Sequence, residues 1–142
     1  MILRKKTKAI ITILLAITLL CSLPVNIFAA GNETVTVTPR WASIASIELD
    51  MVFVDGVGTT VGTARKQSTA TFIEGSLYMY EYVDGEWDFI YAWYGNKAVG
   101  SLSVTGDFAC ESGVTYKAVF EVNSYTNSES ELETVELIKT CP

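Results

Sequence analysis

Three groups of residues in this 142-residue chain are of types that could do chemistry. The first is Tyr78, Tyr80 and Tyr82, spaced two apart, with Asp88 shortly after. Tyrosines at that spacing share one face of a strand. Aromatic faces stack on sugar rings, and a nearby carboxylate accepts hydroxyl hydrogen bonds. The same spacing also suits an ordinary half-exposed strand or an oligomer contact. The second group is Glu81, Glu86 and Asp88. A carboxylate pair can run glycoside hydrolysis, although solvated surface acids are the simpler reading. The third is Cys110 and Cys141, the two cysteines beyond residue 29.

Much other chemistry is excluded. The chain has no histidine, which removes Ser-His-Asp and Cys-His triads, histidine zinc sites and histidine acid–base catalysis. Two sulfurs without histidine make an incomplete metal ligand set. Glu129, Glu131, Glu133 and Glu136 lack the Asp/Asn-rich, Gly-centred spacing of a calcium loop, and read as charges guarding a loop and an edge strand. Gly56, Gly58 and Gly62 have the wrong spacing for a phosphate loop and read as turn and bulge glycines. No cofactor and no metal are expected.

The elements that must position these residues read as strands. Ile47, Leu49, Met51 and Phe53 alternate with Glu48 and Asp50 within a strand from about residue 40 to 54, the period of a half-buried strand. Further strands are expected at 59–65, 69–83, 86–94, 99–108, 116–125 and 134–140, and an edge strand or ordered leader at 32–38 that Pro39 interrupts. The polar stretch 123–133 is expected to be a loop tip. About seven strands with turn signals between them predict an all-β, immunoglobulin- or fibronectin-III-like antiparallel sandwich. In that order Cys110 and Cys141 meet at one pole. Tyr116, after Gly113, matches a tyrosine corner.

Asp84-Gly85 marks a hairpin tip, and two registers compete. A two-residue turn pairs Tyr82 with Trp87 and Tyr80 with Phe89, but sets Glu81 opposite Asp88, and opposed like charges are unfavourable. A three-residue turn with a Gly85 bulge pairs Tyr82 with Glu86. It puts Leu77, Met79, Trp87, Phe89, Tyr91 and Trp93 on a core face, with Glu81 near the tip. Tyr78, Tyr80, Tyr82, Glu86, Asp88, Ile90 and Ala92 then form the outer face. The three-residue turn is the preferred register.

The N-terminus reads as a secretory signal. Arg4, Lys5, Lys6 and Lys8 precede an apolar run from Ala9 to Leu20, too short to span a bilayer, which takes about 20 residues. Ser22 and Pro24 break the run, and Ala29-Ala30 offers the cleavage site. Cleavage after Ala29 is preferred, with Ala30 the neighbouring option. An uncleaved anchor fits less well, and Leu20 before Cys21 departs from a lipobox. Residues 1–29 are thus a helical signal peptide, 30–39 a leader or edge strand, and 40–142 one domain.

Cleavage changes the charge. The precursor carries 10 basic and 16 acidic residues, and four basic ones leave with the signal. Six against 16 gives a net charge of about −10. That argues against nucleic acid and anionic lipid, which need basic patches. No membrane segment follows the signal, and no sorting tail follows Cys141-Pro142, so a freely released extracellular protein is expected. Two cysteines in an exported domain are expected to form one disulfide. Partners are unspecified; an extracellular glycan or protein fits.

Arg40-Trp41 with Ile44 and Ile47 behind, then Trp87, Ile90 and Trp93 three apart, then Gly113-x-x-Tyr116 make a familiar layout. It resembles small secreted β-sandwich proteins of Gram-positive, Clostridia-like bacteria, across most of residues 40–140. The resemblance implies a fibronectin-III- or immunoglobulin-like shape and export, and carries no functional residue. The expected role is a non-catalytic binding module. A self-associating structural protein is the second reading, and a carboxylate glycoside hydrolase the third.

Overall fold

The computed structural model describes residues 34–37 and 43–142. The expected export signal, residues 1–29, and Pro39, Arg40 and Trp41 lie outside the described residues. The strands are β1 (Val35–Val37), β2 (Ile44–Val54), β3 (Val57–Lys66), β4 (Phe72–Val83), β5 (Glu86–Tyr94), β6 (Ser101–Ala109), β7 (Thr115–Tyr125) and β8 (Ser130–Thr140). No described residue is helical.

All pairings are antiparallel. They build two four-stranded sheets, β1-β2-β3-β6 and β5-β4-β7-β8. The described residues therefore form an all-β sandwich. Alternation explains the two layers: Ile47, Leu49 and Met51 of β2 are fully buried, as are Leu77 and Met79 of β4 and Phe120 and Val122 of β7. Their neighbours point outward.

Strand β3 fits this core by being small on its inner side. Gly58, Thr60, Gly62 and Ala64 face inward. A Cβ on Gly62 would come within 2.6 Å of the Phe120 ring. One on Gly58 would come within 2.3 Å of Phe108. These two glycines are slots for rings, not the turn and bulge glycines expected from their spacing. Gly56 is a turn residue, at φ 78° after Asp55 at φ 50°. Two consecutive positive φ values make a two-residue type I′ turn, whose twist suits a hairpin.

The stretch 123–133 is mostly strand, not loop. Strand β7 runs through Tyr125 and β8 starts at Ser130, with Asn123 opposite Leu132 and Ser124 opposite Glu131. Polarity hid the pairing here, because β8 borders the open side of its sheet. Glu131 accepts a hydrogen bond from the hydroxyl of Ser43, the residue just before β2.

One pole is tied by backbone and side chain together. The Cys110 N–H donates to the Gly56 carbonyl at 2.9 Å. The Gly113 N–H donates to Cys141, and the Cys141 N–H to Val114, at 2.8 and 2.9 Å. Tyr116 is buried, and its hydroxyl accepts from the Glu111 N–H at 3.0 Å. That is tyrosine-corner geometry. The Cys110 and Cys141 thiols are both buried and free in this structure, with Sγ atoms 2.9 Å apart.

Candidate functional site

The β4–β5 hairpin turns through Asp84 (φ 51°) and Gly85 (φ 92°). Val83 pairs with Glu86, Tyr82 with Trp87, Glu81 with Asp88 and Tyr80 with Phe89. This is the two-residue register, not the three-residue turn preferred from charge. A bulge then shifts the ladder, so that Met79 pairs with Tyr91, Tyr78 with Ala92 and Leu77 with Trp93.

Directly opposed residues share a face, so the faces follow from this register. Tyr78, Tyr80 and Tyr82 point outward as expected, and Ala92 joins them. Trp87 and Phe89, expected in the core, lie outside beside Tyr82 and Tyr80. Asp88, expected among the tyrosines, lies on the opposite side with Glu81, and Glu86 goes with it. Ile90, expected outside, packs against the core together with Trp93.

The energetics show why the charge argument loses. Opposed carboxylates cost about 0.2–1 kcal/mol, and Asp88 sits exposed at the tip. The Asp-Gly turn matches the strand twist. The outward rings meet as pairs: Tyr82–Trp87 centroids are 5.0 Å apart and Tyr80–Phe89 5.7 Å. Such pairs contribute about 0.5–1.5 kcal/mol each beyond their burial. The bulge then re-aims β5 so that Trp93 lies over Gly106 of β6, where a Cβ would stand 2.2 Å from the ring.

Strand β7 completes the outer face. Lys117 pairs with Tyr80 on one side and with Ile138 of β8 on the other. Its Nζ lies 4.8 Å from the Trp87 ring centre and 5.0 Å from that of Tyr80, a double cation–π contact. Beyond it, the hydroxyls of Thr115 and Thr140 stand 2.9 Å apart. Tyr82 and Phe89 are 47% and 57% exposed, while Tyr78 and Tyr80 are half-buried. The result is an open plate of aromatic rings around one ammonium. Lys117, Trp87 and Phe89 were missed from sequence. The signal for the last two was present, since the less preferred register pairs them with the tyrosines.

Burial pushes the Cys110 thiol up to about 11, and the neighbouring Cys141 adds to the shift. Burial also raises the Tyr116 hydroxyl, only partly offset by its backbone partner at Glu111. Neither group touches the plate. Among the described residues no cluster of histidine, cysteine, aspartate and glutamate is arranged to hold a metal ion.

Comparison with protein families, with curated proteins and with solved structures finds no match.

Proposed function

We propose that this chain is an exported, non-catalytic binding module that holds a glycan on the outer face of β5-β4-β7. The observation that carries the reading is the plate itself: Tyr78, Tyr80 and Tyr82 are joined by Trp87 and Phe89 on one open sheet face. Ring faces of this kind stack on sugar rings, and each half-exposed ring is already held by a neighbour, so little ordering entropy remains to be lost on binding.

The reading has three further parts. Relabelling β2 to β8 as A, B, C, C′, E, F and G gives sheets A-B-E and C′-C-F-G. That is the immunoglobulin-class order with its fourth strand moved to the C-F-G sheet, which supports a fibronectin-III-like sandwich. The basic and apolar N-terminus supports export from a Gram-positive cell, with cleavage after Ala29. The adjacency of Cys110 and Cys141 supports oxidation to a disulfide outside the cell. The two thiols would lose two protons, and two electrons would pass to an external disulfide.

A screen of residues 30–142 against glycans and cell-wall fragments tests the reading, with Tyr80→Ala alongside. Binding that Tyr80→Ala abolishes while the melting transition survives supports it. A screen without a single bound glycan removes it.

Self-association is the second reading, favoured by a separate observation. Strand β5 is a sheet edge and carries Phe89, Tyr91 and Tyr94 exposed. An exposed edge can pair with another chain. Sedimentation across a concentration series decides it: a mass that rises with concentration supports a second copy on β5, and a constant monomer mass rejects it.

A further inference from the structure

We propose that the plate selects glycans bearing a single carboxylate, with Lys117 as the recognising cation; this rests on the glycan reading above. The argument starts from where the register sends charge. The hairpin tip is rich in acid, with Glu81, Asp84, Glu86 and Asp88 in eight residues. Yet Glu81, Glu86 and Asp88 all fall on the side away from the tyrosines, and Asp84 sits in the turn. The outward side at the tip carries aromatic rings and Lys117.

Lys117 is also uncommitted in the polar sense. Lys139 is held by Asp50 and the Met51 carbonyl. Lys66 donates to the Gln67 and Ala70 carbonyls. Lys117 rests on two rings and, among the described residues, forms no ion pair and no hydrogen bond through Nζ. Its three N–H donors therefore remain for an incoming acceptor. The ring faces fix the ammonium in place before ligand arrives, which reduces the ordering cost. The Thr115 and Thr140 hydroxyls stand beside it for sugar hydroxyls.

Charge elsewhere limits the ligand to one carboxylate. The exported chain is about −10 overall, which opposes a polyanion. Glu136, outward on β8 opposite Val119, is the nearest acid along that strand. It repels a second charge placed further along the sheet. One acidic sugar in an otherwise neutral chain satisfies Lys117 without meeting Glu136.

The test compares a xylotriose carrying one glucuronate branch with its methyl ester, which removes only the charge. Titration calorimetry is run on residues 30–142 as wild type, Lys117→Met and Lys117→Arg, each checked for an unchanged melting transition. Wild type is expected to bind the acid about tenfold to hundredfold more tightly than the ester, the range of one charge-assisted hydrogen bond. Lys117→Met, which keeps the stem over the rings, should bind both sugars at the ester's level. Lys117→Arg should keep the preference. Equal binding of acid and ester by wild type overturns the proposal and leaves the glycan reading intact. A preference that survives in Lys117→Met overturns it too. Binding of neither sugar by wild type, while another glycan binds in the wider screen, overturns the acid selectivity alone. Failure of every glycan overturns both.

Discussion

Single buried residues set how the sandwich responds to pH and to substitution. The Cys110 thiol has a folded-state pKa of about 11 against an ordinary 9.0, because burial disfavours the thiolate. A raised value means that the unfolded chain ionises first. The stability from the neutral thiol is therefore complete below pH 9 and is lost as pH rises through about 11. Tyr116 shifts the same way from its ordinary 10.0. Denaturation midpoints of the reduced protein should fall across that window. The oxidised protein should fall less, since a disulfide has no thiol to titrate; identical slopes would contradict the assignment. Tyr116→Phe leaves the Glu111 N–H without its partner, and should cost about 1–3 kcal/mol. Gly62→Ala forces a methyl against the Phe120 ring, an overpacking cost of about 1–3 kcal/mol. Both are read by urea denaturation, and a change under a few tenths of a kcal/mol would contradict the packing described.

At the scale of the element, the β4–β5 hairpin is where sequence and structure part. Alternation alone correctly put Tyr78, Tyr80 and Tyr82 outside and Leu77 and Met79 inside. It could not place β5, because one bulged residue reverses every side chain beyond it. The charge clash that favoured the longer turn was real but small, and ring pairing outweighed it. This makes a prediction: Glu81→Gln removes the repulsion with Asp88 and should stabilise the domain by about 0.2–1 kcal/mol. The gain should shrink with added salt. A loss of stability would mean that Glu81 does something in the hairpin beyond facing Asp88. Strand β8 teaches the related lesson. Its first half reads as part of a loop tip because polarity suggests exposure, yet Glu131 is bonded across to Ser43.

At the scale of the molecule, the layer architecture was legible from period-two patterning and from turn residues; the Asp-Gly pairs at 55–56 and 84–85 both turn the chain, the second through two residues and not the three preferred from charge. The meeting of Cys110 with Cys141 was legible from topology. Hidden from sequence was the meeting of β7 with the outer face of the hairpin, above all Lys117, which is 35 residues beyond Tyr82 in the chain and shares its sheet face. Oxidation of the cysteine pair, 31 residues apart, should stabilise the domain by about 3–4 kcal/mol through the constrained unfolded state. Denaturation with and without reductant measures it, and no difference would contradict a disulfide.

The most direct test of the central claim is amide and indole chemical-shift mapping while a glycan found in the screen is titrated into residues 30–142. The account predicts shifts confined to the outward residues of β4, β5 and β7, with the Trp87 indole and the Lys117 amide among the largest. Shifts gathered instead on the β1-β2-β3-β6 sheet, or in the hollow lined by Arg65, Lys66 and Val99, would contradict it.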